Sequence, residues 1–277
     1  MKNNTMLPDK IRIKSFVKHL PVYGCFSTGL IYVGVGVIAI LSYLQIKKGG
    51  ADESSLLAFL HESFIGKIFF WAILLGTLSY VIWRIFESIK DPYGYGKSPK
   101  GMALRTGIAM STIPDALITL TGVQVLRGVG NIQLDGRPVE LREMVASILE
   151  HSFGDVLVIS IGLIVCVSGF VQFFYGVSRG YKERLDIDHF SANLKWLTHF
   201  LAWIGYLSRG IILSIIGFFF AKSGIARSSE YVVNTDKAFD FIGDNVGHLF
   251  FILVAIGTVG YGLFMAILGW FYDPDKD

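Results

Sequence analysis

Two charges stand in the middle of apolar runs that carry almost no other. Asp115 lies within Thr106–Leu126, and Arg209 lies within Trp196–Ala221, which also has His199 near its start. An isolated ion at this depth in hydrocarbon costs roughly 2.5–3.5 kcal/mol on insertion scales, so each charge needs a partner or a purpose. Two uses fit the pattern. One is a buried Asp115–Arg209 pair that fixes helix docking. The other is a polar wall lining the path of a solute, ion or proton. Pro114, next to Asp115, frees a backbone carbonyl one turn earlier and adds weight to the path. Arg84 and Glu87 lie within about two turns of the end of another apolar run, where Arg84 can reach towards phosphate headgroups. These four residues, Asp115, Arg209, Arg84 and Glu87, are the candidate binding residues.

A second recurring set is a weak candidate for a metal or proton site. His61-Glu62 precedes Gly66, Glu150-His151 precedes Gly154, and Asp244 precedes Gly247-His248. A threefold arrangement of these segments would bring acids and histidines together at one mouth. Capping of the following helices explains the acids equally well, because a helix N-terminus favours negative charge. Gly94-Tyr95-Gly96-Lys97-Ser98 has the wrong spacing for a phosphate loop and reads as turn chemistry after Asp91-Pro92. There is no His-Glu-x-x-His, no Gly-x-Ser-x-Gly and no paired-cysteine motif, so no enzyme and no cofactor are expected. Cys25 and Cys166 fall inside apolar runs and read as small buried hydrophobes.

The elements that must hold these residues are membrane helices. The chain has 277 residues, of which 52% are hydrophobic and only 17% charged, and its mean hydropathy is +0.54. Soluble domains carry about 25% charged residues, and this chain lacks the polar surface to cover a globule in water. A net charge of +3, scattered along the chain, gives no basis for binding nucleic acid. A bilayer core needs about 20 apolar residues per helix. Six runs meet that length: Leu20–Ile46, Ile68 through Arg84 to about Ile89, Thr106–Leu126, Val156–Ser178, Trp196–Ala221 and Leu249–Tyr272. Of the 25 Lys and Arg, Arg84 and Arg209 lie inside runs. Fourteen fall in the termini and in the loops after the second and fourth runs, and nine fall in the other loops. The bias predicts a multi-pass protein of the inner membrane with both termini cytoplasmic.

The runs repeat. Gly24, Gly29 and Gly36 in the first have the spacing of Gly205, Gly210 and Gly217 in the fifth, and Gly66 and Gly76 match Gly247 and Gly257. Aligning Gly122 with Gly36 and Gly217 brings the third run into the same frame, and Gly154 opens the fourth. Asp91-Pro92 and Asp273-Pro274 act as helix stops. Between the runs, residues 54–60, 143–149 and 238–242 have apolar residues at helical spacing. They predict short amphipathic helices, lying at the outer interface or packed on the bundle. The segmentation is a cytoplasmic N-terminal segment at 1–21, then repeats at 22–100, 101–195 and 196–277.

Phe64-Ile65-Gly66, the Ser79–Arg84 stretch with its Tyr-Val-Ile-Trp-Arg ending and the following Asp91-Pro92 resemble the bacterial domain-of-unknown-function family twelve-oh-six. Phe153-Gly154 and Tyr272-Asp273-Pro274 are partial matches. The resemblance implies three tandem two-helix membrane modules and carries no activity. Each module returns the chain to its starting side, so an all-α protein of six transmembrane helices in three parallel pairs, with pseudo-threefold symmetry, is expected. The functional expectation is binding or movement of a small solute, ion or lipid through a cleft among the helices. The alternative is a non-catalytic scaffold or partner-binding subunit. Membrane lipids are the expected surroundings, and a protein partner or a second copy remains compatible with the sequence.

Overall fold

The computed structural model describes residues 20–46, 50–91, 95–128, 138–179 and 190–271, and among them every regular element is helical. In chain order these are α1 (Leu20–Tyr43), α2 (Glu53–Glu62), α3 (Phe64–Lys90), α4 (Pro99–Ser111), α5 (Ile113–Arg127), α6 (Val139–Leu149), α7 (Gly154–Val177), α8 (Ala192–Ala226), α9 (Thr235–Asn245) and α10 (His248–Trp270). A short 3-10 turn, Ser229–Tyr231, joins α8 to α9. Among the described residues, five helices (α1, α3, α7, α8 and α10) are long and apolar enough to cross a membrane. The chain is an all-α, multi-pass membrane protein.

Local chemistry sets the ends. Asp52, Ser63 and Asn234 cap α2, α3 and α9 by accepting from the backbone N–H three residues on, which satisfies donors that a helix start leaves open. Helix α3 stops at Asp91, in the left-handed region with φ 52°. Its carboxylate then accepts from the N–H groups of Tyr95 and Gly96 at 2.7 and 2.8 Å, the turn expected at this point. Pro92, Gly94 and the second stop, Asp273-Pro274, lie outside the described residues.

The third expected run differs from its reading as one continuous span. It is divided at Thr112 into α4 and α5, and Thr112 N–H bonds back only three residues, to Ala109. The cause is Pro114. A proline inside a helix removes one backbone donor and crowds the carbonyl four residues earlier; at the start of a new helix it costs nothing. Asp115 consequently stands in the first turn of α5.

The three amphipathic segments are all helical, as α2, α6 and α9. Helices α2 and α9 pack on the bundle: Leu56, Leu57, Phe239 and Ile242 join the main core with Val35 of α1, Phe70 of α3 and Ala255 of α10. The long helices pack in the spatial order α5–α3–α1–α10–α8–α7. Glycines bring several of these pairs very close. On α7, Gly162, Gly169 and Gly176 recur every seven residues and face α8, where Gly210, Gly217 and Gly224 recur in the same way. A Cβ at Gly169 would lie 2.8 Å from the Gly210 carbonyl, so only hydrogen permits the approach. On α1 and α10, Gly29 and Gly262 meet similarly.

Candidate functional site

Arg209, on α8, is held between aromatic faces. Its guanidinium carbon lies 4.6 Å from the ring centre of Tyr32 on α1 and 4.8 Å from that of Tyr261 on α10. Two more tyrosines extend this cluster edge-to-face, Tyr206 against Tyr261 and Tyr175 of α7 against Tyr206. Cation–π contact stabilises an arginine that has no carboxylate partner. Its Nε is buried and has no hydrogen-bond partner.

Asp115 does not form the direct ion pair with Arg209 that the two apolar runs allow; none joins them among the described residues. It lies within electrostatic reach of Arg209 and, more weakly, of Arg84. One turn on, Thr119 Oγ1 sits 2.9 Å from the Asp115 carbonyl and 3.2 Å from Thr77 Oγ1 of α3. Arg84 is turned inward, towards protein rather than headgroups. It pairs with the buried Glu87 at 3.2 Å and lies over the Tyr80 ring at 5.4 Å, while Glu87 also accepts from the Tyr95 hydroxyl at 3.2 Å.

These groups share a face. On α3, Thr77, Tyr80, Arg84 and Glu87 lie opposite Trp71, Leu75, Leu78 and Ile82, which are exposed; on α8, Arg209 lies away from the exposed Phe200 and Phe218. Tyr32, Tyr80, Arg84, Asp115, Thr119 and Arg209 are nevertheless only half-buried. Partial exposure on the packed side of several helices leaves polar surface uncovered there. An apolar crevice of about 280 Å³, lined by Phe170, Phe173, Phe174 and residues of α8 around Ser214, is separate from it and lies on another face of α8.

Helices α2 and α9 exchange bonds through their first turns. Ala51 N–H donates to Asp236 Oδ1 at 2.6 Å, Asn234 Nδ2 donates to Asp52 at 2.9 Å, and Thr235 Oγ1 donates to Glu53 at 3.1 Å. Burial pushes the Asp236 carboxyl up to about 6, against the bond from Ala51. Burial and the neighbouring Asp52 raise Glu53, against the bond from Thr235 and, more weakly, the charge of Arg209. Burial alone would lower Lys237, but its bond to Asp240 and the charges of Asp240 and Asp236 hold it above the ordinary lysine value.

The histidine and acid pairs are not brought together, and among the described residues no group of three His, Cys, Asp or Glu is placed to hold a metal. His61 packs edge-on against Phe70 and Glu62 is exposed. His151 bonds the Ser147 carbonyl through a ring nitrogen and Glu150 is exposed; His248 lies against Tyr43 and Asp244 is exposed.

Residues 23–91 and 204–272 each match the family model described as Domain of Unknown Function (DUF1206). Over 270 residues the chain is 26% identical to the uncharacterized protein YxxB of Bacillus subtilis (strain 168), an overlap of 97% of this chain and 96% of that one. No solved structure matches the chain. The two matched segments differ by 181 positions at both ends (204 − 23 and 272 − 91), and the same shift relates their contacts. Gly24 meets Tyr80 as Gly205 meets Tyr261, and Ser27 meets Gly76 as Ser208 meets Gly257. The tyrosines around Arg209 escaped attention in the sequence, although Tyr80 and Tyr261 occupy equivalent positions in the repeated segments, the one available signal.

Proposed function

Since the chain belongs to the DUF1206 family through its first and last helix pairs, we propose that it is a ring of three parallel helix pairs that binds and moves a small solute, ion or lipid in its polar chamber. The observation that carries this reading is the set of half-buried charged and hydroxylic side chains on α1, α3, α5 and α8, which on α3 and α8 lie on the side turned from the exposed apolar surface. A purely structural role for Asp115 and Arg209 predicts direct contact, which at about 4 Å and an effective dielectric of about 20 gives about 4 kcal/mol. The two charges forgo that contact.

In this reading α4 and α5 together make the sixth crossing, their 13 and 15 residues rising about 42 Å at 1.5 Å each against a core of about 30 Å. Pseudo-threefold order is supported by the cyclic packing of the second helix of each pair on the first helix of the next: α3 with α5, α7 with α8, α10 with α1. The charge bias supports the bacterial inner membrane with cytoplasmic termini. The activity is binding and transport, not catalysis.

Reagent access tests the chamber. With Cys25 and Cys166 replaced by serine, Thr119→Cys in proteoliposomes should react with a water-soluble methanethiosulfonate, while Leu78→Cys, on the lipid-facing side of α3, should not. If both are equally inert, the inward face is dry and the proposal fails.

A further inference from the structure

We propose that the chamber takes a zwitterionic amphiphile from the bilayer, entering sideways between α5 and α7, with its acidic group at Arg209 and its ammonium at Asp115. The inference rests on the chamber reading above and adds the class of ligand and its route.

The charges give the headgroup. Arg209, held between Tyr32 and Tyr261, and Asp115, in the first turn of α5, lie within electrostatic reach of each other without forming an ion pair, and a ligand bearing both signs satisfies them together. A purely anionic ligand would face Asp115 and Glu53, and a purely cationic one would face Arg209 and Arg84. The rings of Tyr32 and Tyr261 lie against the Arg209 guanidinium. The unpartnered Nε leaves an N–H donor free for an acid group, the arrangement in which a guanidinium fork binds phosphate or carboxylate.

The packing gives the tail. A closed ring of three pairs would have six helix junctions. Five are packed, and the junction between α5 and α7, the two helices of the second pair, has no packed interface among the described residues. Helix α7 packs on α8 and α6 and otherwise exposes a mostly apolar surface through its middle, among it Leu163, Val167 and Val171, with the exposed Ser160 and Ser168 hydroxyls bonded to carbonyls of their own helix; α5 exposes Leu120. Nothing charged bars a hydrocarbon tail there, so the tail stays in lipid while the headgroup reaches the chamber. A water-soluble zwitterion would make no use of an opening into hydrocarbon.

The test uses the full chain in nanodiscs of phosphatidylglycerol that contain a trace of phosphatidylethanolamine with a diazirine in its tail. On illumination, label should concentrate several-fold on α5 and α7 relative to an equivalent phosphatidylglycerol probe. Unlabelled phosphatidylethanolamine should compete and soluble phosphoethanolamine should not. Asp115→Asn, nearly isosteric, should reduce labelling to the phosphatidylglycerol level, and Asp115→Glu should restore part of it. Equal labelling by both probes, or label spread evenly over α3 and α7, overturns the proposal; displacement by phosphoethanolamine overturns the bilayer source. If labelling fails while Thr119→Cys remains reagent-accessible, the ligand class falls and the chamber stands.

Discussion

Substituting Gly169 by alanine tests whether glycine contact holds α7 in place. An added Cβ would stand 2.5 Å from Ser214 Oγ, 2.6 Å from Ser214 N and 2.8 Å from the Gly210 carbonyl. The hydroxyl can rotate, but the two backbone atoms cannot. Ordinary contact needs about 3.4 Å or more, so the helices must part by more than half an ångström. Overpacking of this kind costs about 1–3 kcal/mol, and alanine's better helix propensity returns about 1 kcal/mol. A net loss of up to about 2 kcal/mol is expected, in the upper half of that range because the clashing atoms are backbone. Gly210→Ala fills the same gap from the other side, 2.7 Å from Phe173 N and 2.8 Å from the Gly169 carbonyl. Once one substitution has separated the helices the second meets less resistance, so the double variant should lose about 0.5–1 kcal/mol less than the sum of the singles. Thermal unfolding in detergent reads these differences, with Gly243→Ala as the control. That Cβ has only Phe251 Cδ2 near it, at 3.4 Å, and should leave stability unchanged or slightly higher. Gly169→Ala matching or exceeding wild-type stability, or strict additivity in the double variant, would refute the reasoning.

Two further predictions concern the cap and the divided helix. Asp236 has a folded-state value of about 6, above the ordinary 3.8, so its protonated form is the one the fold favours. Its contribution should be complete below about pH 3.8 and be lost as pH rises through 6, on the order of 2–3 kcal/mol. Asp236→Asn keeps an oxygen to accept from Ala51 and should flatten the slope of unfolding midpoint against pH, leaving the part due to Glu53, which shifts in the same direction. If Pro114 causes the break at Thr112, Pro114→Ala should straighten α4 and α5 into one helix. Spin labels on the exposed positions 102 and 120 should then separate towards the helical rise of about 27 Å for 18 residues. An unchanged distance would assign the break to packing instead.

Most of the fold is legible in residue order because length, apolarity and punctuation act locally. Ser63 before α3 and Asp91 after it mark ends that need nothing from the rest of the chain, and Leu56, Leu57 and Ala58 fall on one face of α2 by spacing alone. The division at Thr112 was written in Pro114, but an uninterrupted apolar run outweighed it. The site was legible only as its charges. Asp115 and Arg209 stand out because hydrocarbon penalises them wherever they are. That Arg209 would find Tyr32 and Tyr261 depends on α8 and α10 packing with α1, a relation between residues 177 and 52 positions away from it (209 − 32 and 261 − 209). The His61 and His151 pairs show the reverse failure: similar local neighbourhoods suggested a common meeting point, and the packing put each beside its own hairpin.

The uneven packing of the bundle also decides what can move. Interlocked glycines weld α1 to α10 and α8 to α7, and the exchanged first turns of α2 and α9 rivet the first pair to the last at one rim. The broken α4–α5 element is tied to the end of α3 through Arg105, which donates to the Ser88 and Ile89 carbonyls and accepts from Ser88 Oγ, whereas α5 bears on α3 and α2 through side-chain packing and the Thr77–Thr119 contact. Mechanically the molecule is a stiff chassis with one panel pinned at its Arg105 end and lightly packed along α5, where Asp115 sits. Amide exchange should be faster along α5 than along the glycine-welded helices.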